Sequence, residues 1–133
     1  MDRKLILLGL FLGAALAGCS PKEAVKIGFI GGLTSRNSDN GQAGLNGVTL
    51  AVEQFNRSGG LNGQLVELIA KDDAQDPETA RRSTQELVDA RVQAVIGPFT
   101  SSMAKVIVPI TGQAGILQIS PTITSMDFHG KDD

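Results

Sequence analysis

Residues 26–44 read KIGFIGGLTSRNSDNGQAG, and this stretch decides which kind of α/β fold the chain forms. It begins as an apolar strand with Ile27, Phe29 and Ile30 and then reaches Gly31, as a nucleotide-binding strand–turn–helix unit does. The same pattern also fits the first strand and ligand loop of a different α/β protein. The sequence that follows the stretch, and the sequence that precedes it, distinguish the two interpretations.

The rest of the chain alternates strand and helix signals. Apolar runs predict four strands, at residues 26–32, 64–70, 94–96 and 116–119. A helix is predicted at residues 42–58, a second begins with Asp76-Pro77-Glu78 as its N-cap and first turn, and a third follows Gly97-Pro98. The apolar stripes of these helices are Leu45, Val48, Val52 and Phe55, then Ala80, Thr84, Leu87 and Val88, then Met103, Val106, Ile107 and Ile110.

This alternation predicts the fold class. Strands that are connected through helices form a parallel sheet, and right-handed crossovers cover both of its faces with helices. Ligands of such sheets bind beyond the carboxyl ends of the strands. The sequence therefore predicts an α/β fold, a parallel sheet with helices on both faces, and ligand loops at residues 33–41, 97–102 and 120–125.

The dinucleotide-binding fingerprint fails in the opening stretch. Counting from Gly31, the glycines required at the third and sixth positions are replaced by Leu33 and Arg36. The acidic residue that should follow roughly 20 residues later is also missing, because Ala51 occupies that position. The glycines therefore let the chain leave the sheet and enter a long loop, and no cofactor is predicted.

The start of the chain predicts export and lipid anchoring. Residues 5–17 form an uncharged apolar run that is shorter than the roughly 20 residues needed to cross a bilayer. The run ends in LAGC at residues 16–19, which resembles the lipobox of a bacterial lipoprotein. We expect Cys19 to carry the lipid and to anchor the protein to a membrane of the cell envelope. The alternative is an ordinary signal peptide with an incidental cysteine.

Composition and isolated polar residues exclude several other functions. The formal net charge is −2 and the chain has five Phe but no Trp or Tyr, so we predict no nucleic-acid partner. Asp72, Asp73 and Asp76 lack the spacing of a calcium loop and predict turn and cap positions. His129 stands without a Ser, Cys or metal partner. Neither a metal site nor a catalytic site is predicted.

Four segments carry a specific combination of motifs. They are KIGFIGGLTS at 26–35, the run from GQAGLNG to DPETA at 41–80, AVIGPFTSS at 94–102 and ILQISPTITS at 116–125. Together these segments resemble the amino-terminal part of the branched-chain amino acid (Leu/Ile/Val) substrate-binding proteins of ABC transporters, which are periplasmic binding proteins of type I. The resemblance covers nearly all of residues 26–126.

The resemblance implies a function and a domain organisation. Proteins of this family have two α/β lobes hinged around a cleft; they are not enzymes, and their closure presents a captured ligand to membrane permease subunits. The resemblance therefore implies a lipoprotein that binds a branched-chain or related amino acid for an ABC importer. Because its relatives are more than twice as long, we expect a truncated chain. The predicted parts are a signal peptide at 1–18, a lipidated tether at 19–25 and an incomplete amino-terminal ligand-binding lobe at 26–133.

The resemblance also assigns ligand-binding residues. It places Ser101 and Thr124 on the α-carboxylate of the ligand and the carbonyl of Thr122 on its α-ammonium. Ser101 and Ser102 stand at a predicted helix start, where free N–H groups and the helix dipole favour a carboxylate without an arginine. The alternative is that this position is only an N-cap. Asn40 occupies a position of the first loop where family members often carry an aromatic residue over the ligand.

Two other classes of protein use the same layered fold. A ligand-sensing receptor domain for amides or short aliphatic acids would have a binding lobe of the same kind, and the neighbouring genes would distinguish it from a transport protein. An enzyme would need a nucleophile, a base or a metal cluster, and the sequence contains no such constellation.

Overall fold

The computed structural model describes residues 22–36, 38–128 and 130. The predicted signal peptide, Cys19 and His129 lie outside the described residues. In chain order the elements are strand β1 (Val25–Gly31), helix α1 (Asp39–Arg57), strand β2 (Val66–Asp72), helix α2 (Pro77–Asp89), strand β3 (Ala94–Ile96), helix α3 (Ser101–Gln113), strand β4 (Leu117–Ile119) and a 3-10 helix (Met126–Phe128).

The four strands form one parallel sheet in the order β2-β1-β3-β4. The chain moves from β1 to β2 in one direction along the sheet and then crosses back over β1 to β3 and β4. Since parallel crossovers are right-handed, this reversal places α1 on one face and α2 and α3 on the other. Accordingly, α1 packs against β1 and β2, whereas α2 and α3 pack against each other. The predicted parallel sheet with helices on both faces is confirmed.

The main core lies on the face that α2 and α3 cover. Ile30, Leu87, Val95 and Ile107 are fully buried there, and each belongs to an apolar run or stripe of the sequence. The stripe of α1 is only partly covered, since Phe55 at its carboxyl end is 39% exposed. The face under α1 is therefore the less completely buried side of the sheet.

Helix α2 begins and ends where local chemistry requires. The Asp76 side chain accepts a hydrogen bond from the Thr79 N–H at 2.8 Å, and Pro77 occupies the first helical position. The helix ends at Asp89, and Arg91 then adopts a left-handed conformation with φ of 60°. Its N–H donates to the Val88 carbonyl at 2.9 Å, which satisfies a terminal carbonyl of the helix.

Two predicted elements differ from the structure by two or more residues at a boundary. Helix α1 begins at Asp39, three residues earlier than predicted, and therefore includes Gly41. A side chain at Gly41 would place its Cβ 2.2 Å from the carbonyl oxygen of Gly32. Gly41 thus lets the helix press onto the end of β1, so this glycine serves close packing and does not mark a helix start.

The second strand is shifted by two residues from the predicted 64–70. It runs to Asp72 because Lys71 and Asp72 continue the ladder opposite Ile30 and Gly31 of β1. The apolar pattern of the sequence ends before these charged residues. An ion pair with Glu86 at 2.6 Å also holds Lys71 in place. Backbone pairing with the central strand therefore extends β2 beyond its apolar run.

The outer strand, β4, leaves apolar side chains in contact with solvent. Leu117 is 63% exposed and Ile119 is 54% exposed. Within the part of the chain that the structure describes, β4 pairs only with β3. None of the helices between residues 22 and 130 is both long enough and apolar enough to cross a membrane.

Candidate functional site

The reversal of strand order creates a crevice at the carboxyl ends of β1 and β3, where open α/β sheets bind ligands. A cavity of about 440 Å³ lies there. Its walls come from the loops after β1, β2 and β3 and from the first turn of α1. The lining residues are Gly32, Asp39, Asn40, Gly41, Asp73, Gln75, Phe99 and Thr100.

The loop after β1 is held in place by Asp72. Its carboxylate accepts hydrogen bonds from the Leu33 N–H at 2.7 Å, the Thr34 hydroxyl at 2.5 Å and the Ala74 N–H at 2.8 Å. Burial raises the pKa of Asp72, but these hydrogen bonds to the charged form outweigh burial and hold the pKa below its ordinary value. Asp72 therefore joins the ends of β1 and β2 as an ionised group.

The neighbouring Asp73 is in a different environment, with only 1% of its surface exposed. Burial raises its pKa above the ordinary value, the Gln75 N–H lowers it through a 2.8 Å hydrogen bond, and the charge of Asp72 raises it further. Asp73 lies in the cavity wall. Asp73, which the sequence predicted as a turn or cap residue, thus adds an acidic side chain to the wall of the site.

The amino terminus of α3 opens beside this cavity. Thr100 is the N-cap, but its side chain makes no capping hydrogen bond, and the first turn contains no acidic residue. By contrast, the Asp76 carboxylate caps α2. The Ala104 N–H is bonded to the Thr100 carbonyl, which leaves the preceding N–H groups of the first turn free of intrahelical partners. This end of α3 can therefore accept an anionic group.

The loop after β4 is tied to the loop after β3. The Gly97 N–H donates to the Ile119 carbonyl at 2.8 Å, the Ser120 hydroxyl to the Pro98 carbonyl at 2.5 Å, and the Thr122 hydroxyl to the Phe99 carbonyl at 2.9 Å. Residues 120–122 therefore follow the wall that carries Phe99 and Thr100. Gly97 is required in this wall, because at its φ of 114° a Cβ would lie 1.9 Å from the carbonyl oxygen of Ile30.

The structure brings some of the predicted site residues to the cavity and leaves others near it. Asn40 lines the cavity, and Ser101 directly follows the lining residue Thr100. Ser102 is exposed, and its hydroxyl donates to the Thr100 hydroxyl at 3.3 Å. Thr122 is connected to the cavity wall through Phe99. Thr124 is exposed and does not line the cavity.

Three lining residues lie outside the predicted ligand loops: Gly32, Asp73 and Gln75. Asp73 and Gln75 follow β2, whereas Phe99 follows β3 within the predicted loop 97–102. Their position after strand ends was the available signal, because the carboxyl ends of neighbouring parallel strands meet at one edge of the sheet. Phe99 also packs against Phe29 of β1, with ring centroids 5.4 Å apart, so the cavity wall continues into the core. No group of acidic, His and Cys side chains suited to a metal ion occurs among the described residues.

The fold is a parallel α/β sheet with a crevice at the carboxyl ends of its strands, the place where α/β proteins bind ligands. Residues 24–132 match the family described as periplasmic binding protein. The chain belongs to this family.

Individual relatives share sequence with most of this chain. The chain is 32% identical over 104 residues to the Leu/Ile/Val-binding protein BraC3 of Rhizobium johnstonii, covering 78% of this chain and 28% of the relative. It is 32% identical over 126 residues to the leucine-, isoleucine-, valine-, threonine- and alanine-binding protein of Pseudomonas aeruginosa, covering 92% and 34%. The chain thus spans about a third or less of the length of these relatives.

Solved structures agree with this assignment. The substrate-binding protein LivJ of a branched-chain amino acid transporter from Streptococcus pneumoniae, in complex with isoleucine, superposes with a TM-score of 0.74. It has 34% identity to this chain, and the match covers 77% of this chain and 30% of that structure. A solute-binding protein of an ABC transporter from Rhodopseudomonas palustris, in complex with 3,4-dihydroxybenzoic acid, gives a TM-score of 0.68 at 25% identity, covering 77% and 28%. Members of similar fold therefore bind chemically different ligands.

Proposed function

We propose that this chain is a ligand-binding lobe of the substrate-binding protein of an ABC importer, which captures an amino acid outside the cytoplasm and delivers it to permease subunits. The observation that carries the proposal is the open amino terminus of α3 beside the cavity at the strand-order reversal. Relatives whose names describe amino acid binding support the choice of ligand class.

The proposed contacts are those that the family resemblance implies for an amino acid. Its carboxylate accepts hydrogen bonds from the Ser101 N–H and hydroxyl at the positive end of α3, and Ser102 adds a second hydroxyl there. Thr124 donates a further hydrogen bond to the carboxylate, and the carbonyl of Thr122 accepts one from the ammonium. Asn40 faces the remainder of the ligand across the cavity.

Replacement of Ser101 tests this proposal in the complete protein that contains this chain. Losing one hydrogen bond to a carboxylate costs about 1.5–3 kcal/mol, so Ser101→Ala should weaken amino acid binding roughly tenfold or more in calorimetry. Ser58→Ala is the matched control, because Ser58 caps the carboxyl-terminal end of α1, whereas the cavity is lined by the amino-terminal turn of that helix. Equal affinity of the Ser101→Ala variant and the control would place the carboxylate elsewhere.

We also propose that the mature protein is held at a membrane through a lipid on Cys19, with its binding lobe facing the periplasm or the cell exterior. The lipobox-like LAGC segment at residues 16–19 supports this proposal. A lipid anchor would keep the loaded protein near its permease. In this arrangement residues 19–25 form a short tether between the anchor and β1.

A further inference from the structure

Almost all of the side chains that line the cavity between β1 and β3 are able to form hydrogen bonds. The polar side chains are Asp39 and Asn40 from α1, Asp73 and Gln75 from the loop after β2, and Thr100 from the N-cap of α3. Phe99 is the single large apolar side chain in this wall. The first lobe therefore offers a ligand many polar contacts and one aromatic ring.

The charges in this wall have one sign. Asp39 and Asp73 are both carboxylic acids, and no Lys, Arg or His occurs among the described lining residues. The side chains of Asp39 and Asn40 form no hydrogen bond with another described residue. The open end of α3 attracts an anion at one side of the site, whereas the acidic side of the cavity favours hydrogen-bond donors or positive charge.

An aliphatic ligand side chain would fit this wall poorly. It would remove water from the exposed side chains of Asn40 and Asp39 without replacing the lost hydrogen bonds, and such desolvation is unfavourable. A site built to hydrogen-bond a polar substrate group discriminates strongly against an analogue that lacks the group, because the site's own polar groups are then left unpaired. The polarity of the wall thus bears directly on which amino acids bind.

We propose that the ligand is an amino acid whose side chain ends in N–H donors, such as a carboxamide or an ammonium, and that the exposed side chains of Asn40 and Asp39 receive this end. The inference rests on the proposed function, because it assumes that the carboxylate of the same ligand occupies the amino terminus of α3. It selects one chemical class among the amino acids and other ligands that proteins of this fold bind.

Three amino acids of nearly equal shape test the proposal. Leucine, asparagine and aspartate have side chains of similar size that end in two methyl groups, a carboxamide and a carboxylate. Calorimetry on the complete protein that contains this chain should show asparagine binding at least about tenfold tighter than leucine and than aspartate. Glutamine and lysine extend the series to longer side chains that end in N–H donors.

Two matched variants connect the preference to the cavity. Asn40→Leu replaces an amide in the wall by an isosteric apolar side chain and should reduce the asparagine-to-leucine affinity ratio at least about fivefold. Asn46→Leu makes the same change at an exposed position of the same helix, outside the cavity wall, and should leave the ratio unchanged. Because both variants carry a leucine on α1, a general effect of that leucine would change them equally.

The outcomes separate this inference from the proposed function. Leucine binding as tightly as asparagine, with asparagine, glutamine and lysine showing no advantage, would overturn the inference and leave an amino acid binding function in place. An asparagine preference that Asn40→Leu does not reduce would overturn the role of Asn40 and its neighbours. If none of these amino acids binds with a dissociation constant below about 1 mM, both the inference and the proposed function are wrong.

Discussion

Removal of the Asp72 carboxylate should loosen the first ligand loop and lower the stability of the lobe. In Asp72→Ala, two backbone N–H groups, those of Leu33 and Ala74, and the hydroxyl of Thr34 lose their acceptor. Hydrogen bonds to a charged group contribute about 1.5–3 kcal/mol each when they are buried. Water can replace part of each bond here, because the Thr34 contact is exposed and the other two are partly buried. We therefore expect a total loss of about 2–4 kcal/mol.

Asp72→Asn should cost less and should change the pH dependence of stability. The asparagine carbonyl can still accept from Leu33 and Ala74, so we expect a loss of about 1 kcal/mol near neutral pH. The pKa of Asp72 is lowered in the folded protein, so its contribution is present above the unfolded-state pKa and is lost as pH falls through the folded-state pKa. The difference in unfolding free energy between wild type and Asp72→Asn should therefore be largest at neutral pH and disappear in acid.

Urea unfolding at several pH values measures both effects, and hydrogen exchange at the Leu33 amide reports on the loop itself. Asp89→Ala is the control, because Asp89 is an exposed acid whose carboxylate accepts a hydrogen bond from the Gln85 side chain at 2.9 Å. We expect this control to change stability by less than about 0.5 kcal/mol. Equal destabilisation by Asp72→Ala and Asp89→Ala, or an unchanged pH profile in Asp72→Asn, would refute this account of Asp72.

Three further predictions concern packing and anchoring. Leu87→Ala should lower the free energy of unfolding by about 2–5 kcal/mol in urea titrations, because Leu87 is fully buried, whereas Leu61→Ala, at a 66% exposed leucine, should cost far less. Gly41→Ala should lower the free energy of unfolding by more than about 1 kcal/mol, because the added Cβ would meet the Gly32 carbonyl oxygen at 2.2 Å. Gly47→Ala, in open space on the same helix, should be neutral or stabilising. Equal effects of the two substitutions would contradict the packing argument. Cys19→Ser should abolish incorporation of a radiolabelled fatty acid, and unchanged labelling would rule out the proposed anchor.

Within the described chain, the sequence predicted every strand and every helix longer than one turn, in the right order. It could do so because those elements depend on apolar periodicity and capping residues. The two shifted boundaries depended on tertiary structure. The early start of α1 depends on the close approach of Gly41 to Gly32. The extension of β2 through Lys71 and Asp72 depends on the pairing of these residues with β1. A local sequence pattern cannot reveal either of these contacts, because each joins residues that are distant in sequence or in different elements.

The candidate site was predicted more completely in its location than in its composition. The rule that ligands bind at the carboxyl ends of parallel strands identified the loops that carry Asn40, Phe99 and Thr100. It did not reveal that Asp73 turns into the cavity wall, because Asp72 and Asp73 have the same residue type and opposite environments. The roles of Ser101 and Thr124 remain predictions that the binding measurements address.

The central position of β1 has a consequence for how the protein is made. Both neighbours of β1 come later in the chain, and its pairing with β3 joins Ile27 to Ala94. A nascent chain that has not yet reached Ala94 can form neither this pairing nor the crevice beside it, and sheets built from such distant segments fold slowly. The crevice is therefore completed late in synthesis, after the segments that form the ladder between β1 and β2 have both been made.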